Sequence, residues 1–242
     1  MNRNFLVMGG HGGVGEALAL RLSELGHKVI VTMRDSAQAS ERLKSEDIDI
    51  RSVDITHPQN IVDALSDIAA GEGLAGFVYC IGSIDLLPLK ATKDEDFLRS
   101  FDINVMGAIR ALRILEKSLR AGKGSVVLFS SIAVQQGFPN HTVIGAAKGA
   151  VEGLVKSLGA EWAGHVRVNA IAPSLTDTQI AKPLTSSPPM REAIEKMHPI
   201  PRLGDAEDSA ALAAFLLGPD SGWITGQIIH VDGGRSTLKP KG

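Results

Sequence analysis

The stretch "NFLVMGGHGGVGEALALRLSELG", residues 4–26, decides how the rest of the chain is read. An apolar run of strand length passes directly into glycines. Val14, Leu18, Leu22 and Leu25 then recur on one helical face before Gly26 stops the pattern. Gly9, Gly13 and Gly15 fall where strand turns into helix. Glycine there permits a tight turn, close backbone approach to a pyrophosphate, and close helix–strand packing, while the helix N-terminus favours an anion. A plain glycine turn would use the same letters. The strand–loop–helix context favours a dinucleotide site, with Gly9, Gly13, Val14 and Gly15 facing the phosphates.

The same alternation continues outward. "KVIVTM", "IDIRSVD", "GFVYCIG", "GSVVLFSS" and "HVRVNAIAPS" read as strands. Helix-period segments separate them: a polar one through "SAQASERLKSE", one over "PQNIVDALSDIAAG", a long one over about 94–120, and one around Lys148. Repeated βα units with continuous apolar strands predict a parallel sheet covered on both faces. The expected fold class is α/β, a doubly wound parallel sheet of Rossmann type, in a single domain over 1–242. One irregular, proline-rich region, 175–203 with a short helix inside, is expected to form a substrate loop over the C-terminal edge of the sheet.

Composition limits the function classes. With 242 residues and 44% hydrophobic content the chain can bury a full core. A formal net charge of −2 gives no basic field for nucleic acid or an anionic membrane, and the terminal "LKPKG" is too short to change that. One cysteine, Cys80, rules out a disulfide framework and fits a reducing compartment. No apolar run is long enough to span a bilayer, and "MNRNFLVMGG" reads as a first strand rather than a signal peptide. A soluble, cytoplasmic protein acting on a small molecule is the expectation.

The second strand ends in "TMRD". A carboxylate at this strand end would bind the ribose hydroxyls of NAD, whereas an arginine suits a 2′-phosphate. Met33 occupies the acid's place and Arg34 follows, so NADP is the expected cofactor. Asp35 keeps NAD possible.

These motifs together resemble the short-chain dehydrogenase/reductase family over essentially the whole length, most of all its branch of β-ketoacyl-carrier-protein reductases. The glycine loop is similar to TGxxxGxG with Met8 for the threonine. "FDINVMG", "VVLFSS", "RVNAIAPSLTDT" and "GWITGQIIHVDGG" match further family segments in order. The resemblance implies an NAD(P)-dependent oxidoreductase in which Asp54 contacts adenine, while Gly82, Pro173 and Thr178 border the cofactor. It implies Asn104, Ser131 and Lys148 as members of the catalytic set, with Lys148 on the nicotinamide ribose. It also implies a homodimer or homotetramer built partly through the Lys148 helix.

Two departures stand out. The family's Asn-Asn-Ala-Gly reads Tyr79-Cys80-Ile81-Gly82, and Cys80 is most simply a small buried hydrophobe. In "NHTVIGAAKGAVEGL", residues 140–154, the position four before Lys148 holds Ile144 where the family's tyrosine would stand. Tyr79, the chain's one tyrosine, belongs to a strand and is poorly placed to substitute. Loss of a general acid costs on the order of 10²–10⁴-fold, while hydride positioning would survive. His141 lies seven residues before Lys148, the spacing of the family's enoyl-reductase tyrosine, and histidine is the side chain that titrates nearest neutrality. Two readings follow: reduction of a carbonyl or conjugated double bond with His141 or water as proton source, or a non-catalytic dinucleotide-binding sensor or partner subunit. A solvated His141 at a helix start, a backbone-bonded Ser131 and a surface Lys148 are the structural alternatives. Met190, Ile194 and Met197 form an apolar stripe at helical spacing that suits either a lid or simple packing.

Overall fold

The computed structural model describes residues 3–71 and 73–239; the last residues of the basic C-terminal stretch, 240–242, lie outside them. Seven parallel strands form one sheet in the order β3-β2-β1-β4-β5-β6-β7. They are β1 (Asn4–Met8), β2 (Lys28–Met33), β3 (Ile48–Ser52), β4 (Gly76–Tyr79), β5 (Ser125–Phe129), β6 (Arg167–Pro173) and β7 (Ile228–Val231). The chain winds from β1 towards β3, then returns to place β4 on the other side of β1. This reversal is the topological switch point, where a crevice opens beyond the strand ends.

Alternation along β1 shows why the sheet needs helices on both faces. Phe5 and Val7 join one core cluster with Leu18 and Leu22 of α1 (Gly13–Glu24). Leu6 and Met8 join the other, with Ile61 and Leu65 of α3 (Pro58–Ala70). A strand buried on both faces must be apolar throughout, as the sequence has it. The doubly wound parallel sheet is therefore the fold of this chain.

Two local expectations need correction, and a third gains a detail. Leu25 does not share the buried face of α1: it is the C-cap and is 62% exposed, because left-handed Gly26 (φ 78°) turns the chain away. The polar stretch after β2 is not one helix. Asp35 caps a 3₁₀ turn, Ser36–Gln38, and Ser40 then caps the five-residue α2 (Glu41–Ser45). The expected long helix over 94–120 is continuous, with a π-helical turn (Asp102–Met106) set between α4 (Asp94–Phe101) and α5 (Gly107–Ala121).

The second half contributes α6 (Ala133–Gln136), α7 (Thr142–Glu161), α8 (Lys182–Thr185), α9 (Pro188–Glu195) and α10 (Ala206–Leu217). Helix α10, capped by Asp205, packs its alanines and leucines beside α1. Among the described residues no helix is long and apolar enough to cross a membrane, and no cluster of three metal-binding side chains occurs.

Candidate active site

A cleft of about 990 Å³ opens beyond the C-terminal ends of the strands, from the β1–α1 loop to α9. Its phosphate end is set by backbone. Gly9, Gly12 and Gly13 have φ of 98°, 73° and 58°, a region that disfavours side chains. A Cβ on Gly15 would stand 2.1 Å from the Gly9 carbonyl oxygen, so helix and loop can meet only through glycine. Thr178 closes the loop from the far side, with its methyl 3.1 Å from where a Gly13 Cβ would lie. A cradle whose walls are peptide backbone and a helix N-terminus fits a dinucleotide's pyrophosphate.

At the end of β2, Met33, Arg34 and Asp35 line the cleft. The Asp35 carboxylate accepts from Ala37 N–H at 3.0 Å and from Gln38 Nε2 at 3.1 Å, so it is committed to its own turn. Arg34 is exposed and has no ion pair within 4.0 Å among the described residues. Asp54 lies between Val53 and Ile55, which line the cleft, but does not line it itself. Its carboxylate accepts from the backbone and hydroxyl of Thr56 at 3.0 and 2.7 Å, and these bonds hold it below the usual carboxylate range.

Ser131, His141, Ile144 and Lys148 line the other end. Ser131 follows β5, and its Oγ accepts from Ala133 N–H at 3.2 Å at the start of α6. Lys148 comes from α7 and is only 8% exposed. Its ammonium donates to the Phe129 carbonyl at 2.8 Å, and burial pushes its pKa down to about 8. Beside it, burial pushes the Cys80 thiol up to about 12, so Cys80 is an unreactive part of the wall rather than a nucleophile. A surface position for Lys148 does not hold.

Asn104 sits beneath this end rather than on its wall. Its Nδ2 donates to Ser100 O at 2.9 Å and Ser83 Oγ at 3.1 Å, and its Oδ1 accepts from Ser83 N–H at 3.3 Å. A Cβ on Gly82 would lie 3.0 Å from Asn104 Oδ1 and 3.5 Å from Lys148 Nζ. The π-helical turn thus brings Asn104 under the strand end that carries Gly82 and Ser83. Tyr79 is spent in the same turn. Its buried hydroxyl donates to Ile103 O at 2.7 Å, and Gly107 leaves room for it.

Ile144 lies one helical turn before Lys148 on the same side of α7, 5% exposed and against the cleft. His141 is the N-cap of α7 and is half-buried on the cleft wall, not fully solvated. Its Nδ1 lies 2.8 Å from Pro139 O, which makes Nδ1 the donor and leaves Nε2 for the cleft. Ile194 and Met197 line the cleft, while Met190 is 49% exposed and does not. No local sequence pattern points to Phe138, Arg235 or the bond between Ser174 Oγ and His198 Nε2 at 2.8 Å, all at this end.

Known proteins agree with this geometry. A family model described as enoyl-(acyl carrier protein) reductase matches residues 9–236. A tropinone reductase homolog of Arabidopsis thaliana is 34% identical over 241 residues, 96% of this chain and 92% of its own. Carbonyl reductase family member 4 of Danio rerio is 30% identical over 98% of this chain and all of its own length. Among solved structures, a short-chain type dehydrogenase/reductase from Mycobacterium ulcerans superimposes with a TM-score of 0.90 at 30% identity, covering 98% of this chain and 90% of its own. ElxO with NADP bound gives a TM-score of 0.88 at 28% identity, covering 98% and 100%. These matches run through the whole sheet and both ends of the cleft: the chain belongs to the short-chain dehydrogenase/reductase family.

Proposed function

We propose that this chain is an NADP(H)-linked oxidoreductase of the β-ketoacyl-reductase-like branch, reducing a carbonyl or conjugated double bond at a site without a catalytic tyrosine. The observation that carries this reading is one continuous cleft. It has the glycine cradle and Arg34 at one end and Ser131, His141 and Lys148 at the other. Relatives named as reductases, and the NADP bound to ElxO, support it.

The nicotinamide would supply hydride. The chain's residues would do the rest. Gly9, Gly13, Val14 and Gly15 would hold the pyrophosphate, Arg34 a 2′-phosphate, and Gly82, Pro173 and Thr178 the nicotinamide side. Asp54 would serve adenine through the turn it fixes, because its carboxylate is already engaged by Thr56. Lys148 would donate to the ribose. Ser131 would polarise the substrate oxygen, Asn104 would brace Gly82 and Ser83, and His141, as an imidazolium with Nδ1–H on the Pro139 carbonyl, would give the proton from Nε2 and be left neutral.

Arg34 decides the cofactor. NADPH is expected to bind about tenfold more tightly than NADH, and Arg34→Ala should erase that gap with little effect on NADH. Fluorescence titration of both cofactors measures it, and equal affinities in the wild type would overturn the assignment to NADP. His141→Ala should lower turnover about 10- to 100-fold and leave NADPH affinity within twofold. Unchanged turnover would transfer the proton donation to water.

One observation favours the second reading, a non-catalytic sensor or partner subunit: Ile144 presents hydrocarbon where a proton is needed. NADPH consumption across ketones, quinones and enoyl thioesters separates the two, since only the first reading predicts turnover. Either reading fits a homodimer or homotetramer in the cytoplasm. Gly145, Gly149 and Gly153 recur every fourth residue of α7, and added Cβ atoms there would meet nothing closer than Val134 at 3.9 Å. Each costs roughly 1 kcal/mol against alanine in a helix, and close approach by a second α7 supplies a reason for them.

A further inference from the structure

Arg235 is a cation inside the cleft that the reading above leaves without a task. It lies just after β7, where Gly233 and Gly234 turn the chain with φ of 60° and 85°. Its guanidinium carbon stands 4.8 Å over the Phe138 ring, and the other side of that aromatic pair is His141, 5.3 Å from Phe138. Stacking on a ring fixes the plane of the guanidinium but satisfies none of its N–H groups.

The partners of those N–H groups are weak. Nη1 reaches Ser174 Oγ at 3.5 Å, and Nη2 reaches Met197 Sδ at 3.4 Å. The Ser174 hydroxyl donates to His198 Nε2, whose Nδ1 donates to Ile194 O at 2.8 Å, so Ser174 Oγ is held by His198 and meets Arg235 only at the limit of hydrogen-bond distance. The nearest acid, Asp232, accepts from Gly234 N–H and Ser236 N–H at 2.9 Å each, and from the Ser236 hydroxyl. Among the described residues no carboxylate lies within 4.0 Å of the Arg235 nitrogens. Among the described residues the only carboxylate lining the cleft is Asp35, committed to the turn after β2 at the other end.

A partly desolvated guanidinium with strong donors and no strong acceptor has the chemistry that suits an anion. We infer that the substrate carries an oxyanion, carboxylate or phosphate, which Arg235 binds against Phe138 while the reducible group lies towards Ser131 and His141. This rests on the oxidoreductase reading and deepens it by naming the substrate class. Burial also pushes the Arg235 pKa below its ordinary value, and the charge of Asp232 offsets this only in part. Through Ser174, His198 and Met197 the same residue meets the segment just after α9. The observation is independent of the glycine cradle, since none of these groups belongs to it.

The test uses the NADPH-loaded protein and reads ligand binding by calorimetry. The probes are straight-chain oxocarboxylates, their methyl esters, and oxoalkyl phosphates of matched length. At least one anionic series is expected to bind about 10- to 100-fold more tightly than the neutral esters. The preferred series identifies carboxylate or phosphate. Arg235→Gln should remove that gap while leaving NADPH affinity within twofold. Arg235→Lys keeps the charge without the planar fork and should narrow the gap, which preserves the test if the glutamine variant does not fold. Esters binding as tightly as acids, equal losses for acid and ester in Arg235→Gln, or no anion binding at all would each overturn the inference. Failure of NADPH itself to bind would instead overturn the dinucleotide reading, and the two failures are separable because NADPH is titrated first.

Discussion

Ile144→Tyr is expected to raise carbonyl reduction by about 10²- to 10⁴-fold, the range spanned by a positioned general acid. The argument is geometric. Position 144 precedes Lys148 by one turn of α7, so both side chains leave the same side of the helix. Ile144 already borders the cleft, and a longer side chain there extends into open volume rather than into the core. The phenol would find a buried ammonium beside it to lower its pKa and the Ser131 hydroxyl across the cleft to share the substrate oxygen. Steady-state NADPH oxidation with a ketone, measured for both proteins, checks the result. A gain below threefold, with folding and NADPH affinity retained, would show that position 144 is not where the proton is delivered. Activity arising only in the variant would favour the sensor reading for the native chain.

What the sequence disclosed and what it hid follow from the range of the interactions involved. The sheet was legible because strand residues buried on both faces must be largely apolar, and residues 5–8 of β1, 76–79 of β4 and 126–129 of β5 are. The glycine cradle was legible because positive φ and backbone contact leave a mark in local sequence. Leu25 was misread because helical periodicity continues past the residue at which Gly26 reverses the chain. Asp54 and Asn104 could be located but not oriented: Thr56 takes up one carboxylate, and Ser83 and Ser100 hold the other side chain below the cleft wall. Arg235 left no local signal. Its setting is made by Phe138 and Met197, which come from two other parts of the chain.

Lys148→Met is expected to stabilise the cofactor-free protein and to abolish most of its cofactor affinity, two effects of opposite sign from one buried charge. The folded chain holds the Lys148 proton with a pKa of about 8, against an ordinary value of 10.5. Folding therefore weakens proton binding, and the cost is fully present below about pH 8. It fades as pH rises from 8 towards 10.5, where the folded lysine is already neutral and the unfolded one is still charged. At pH 7 the variant escapes this cost, on the order of 3 kcal/mol, but forfeits about 1 kcal/mol for the bond to the Phe129 carbonyl. A net gain of about 1–2 kcal/mol is expected in urea unfolding, shrinking as pH approaches 10.5. A loss of stability at pH 7 would place the cation in a better-solvated setting than the structure gives it. Binding runs the other way. On the proposed reading a charged Lys148 would donate to the ribose hydroxyls and attract the cofactor's phosphates, so NADPH affinity should fall as pH rises through about 8, by at most tenfold per pH unit. In Lys148→Met affinity should be about 100-fold weaker, and this pH dependence should vanish. A wild-type affinity that stays flat from pH 7 to 9.5 would remove Lys148 from the cofactor.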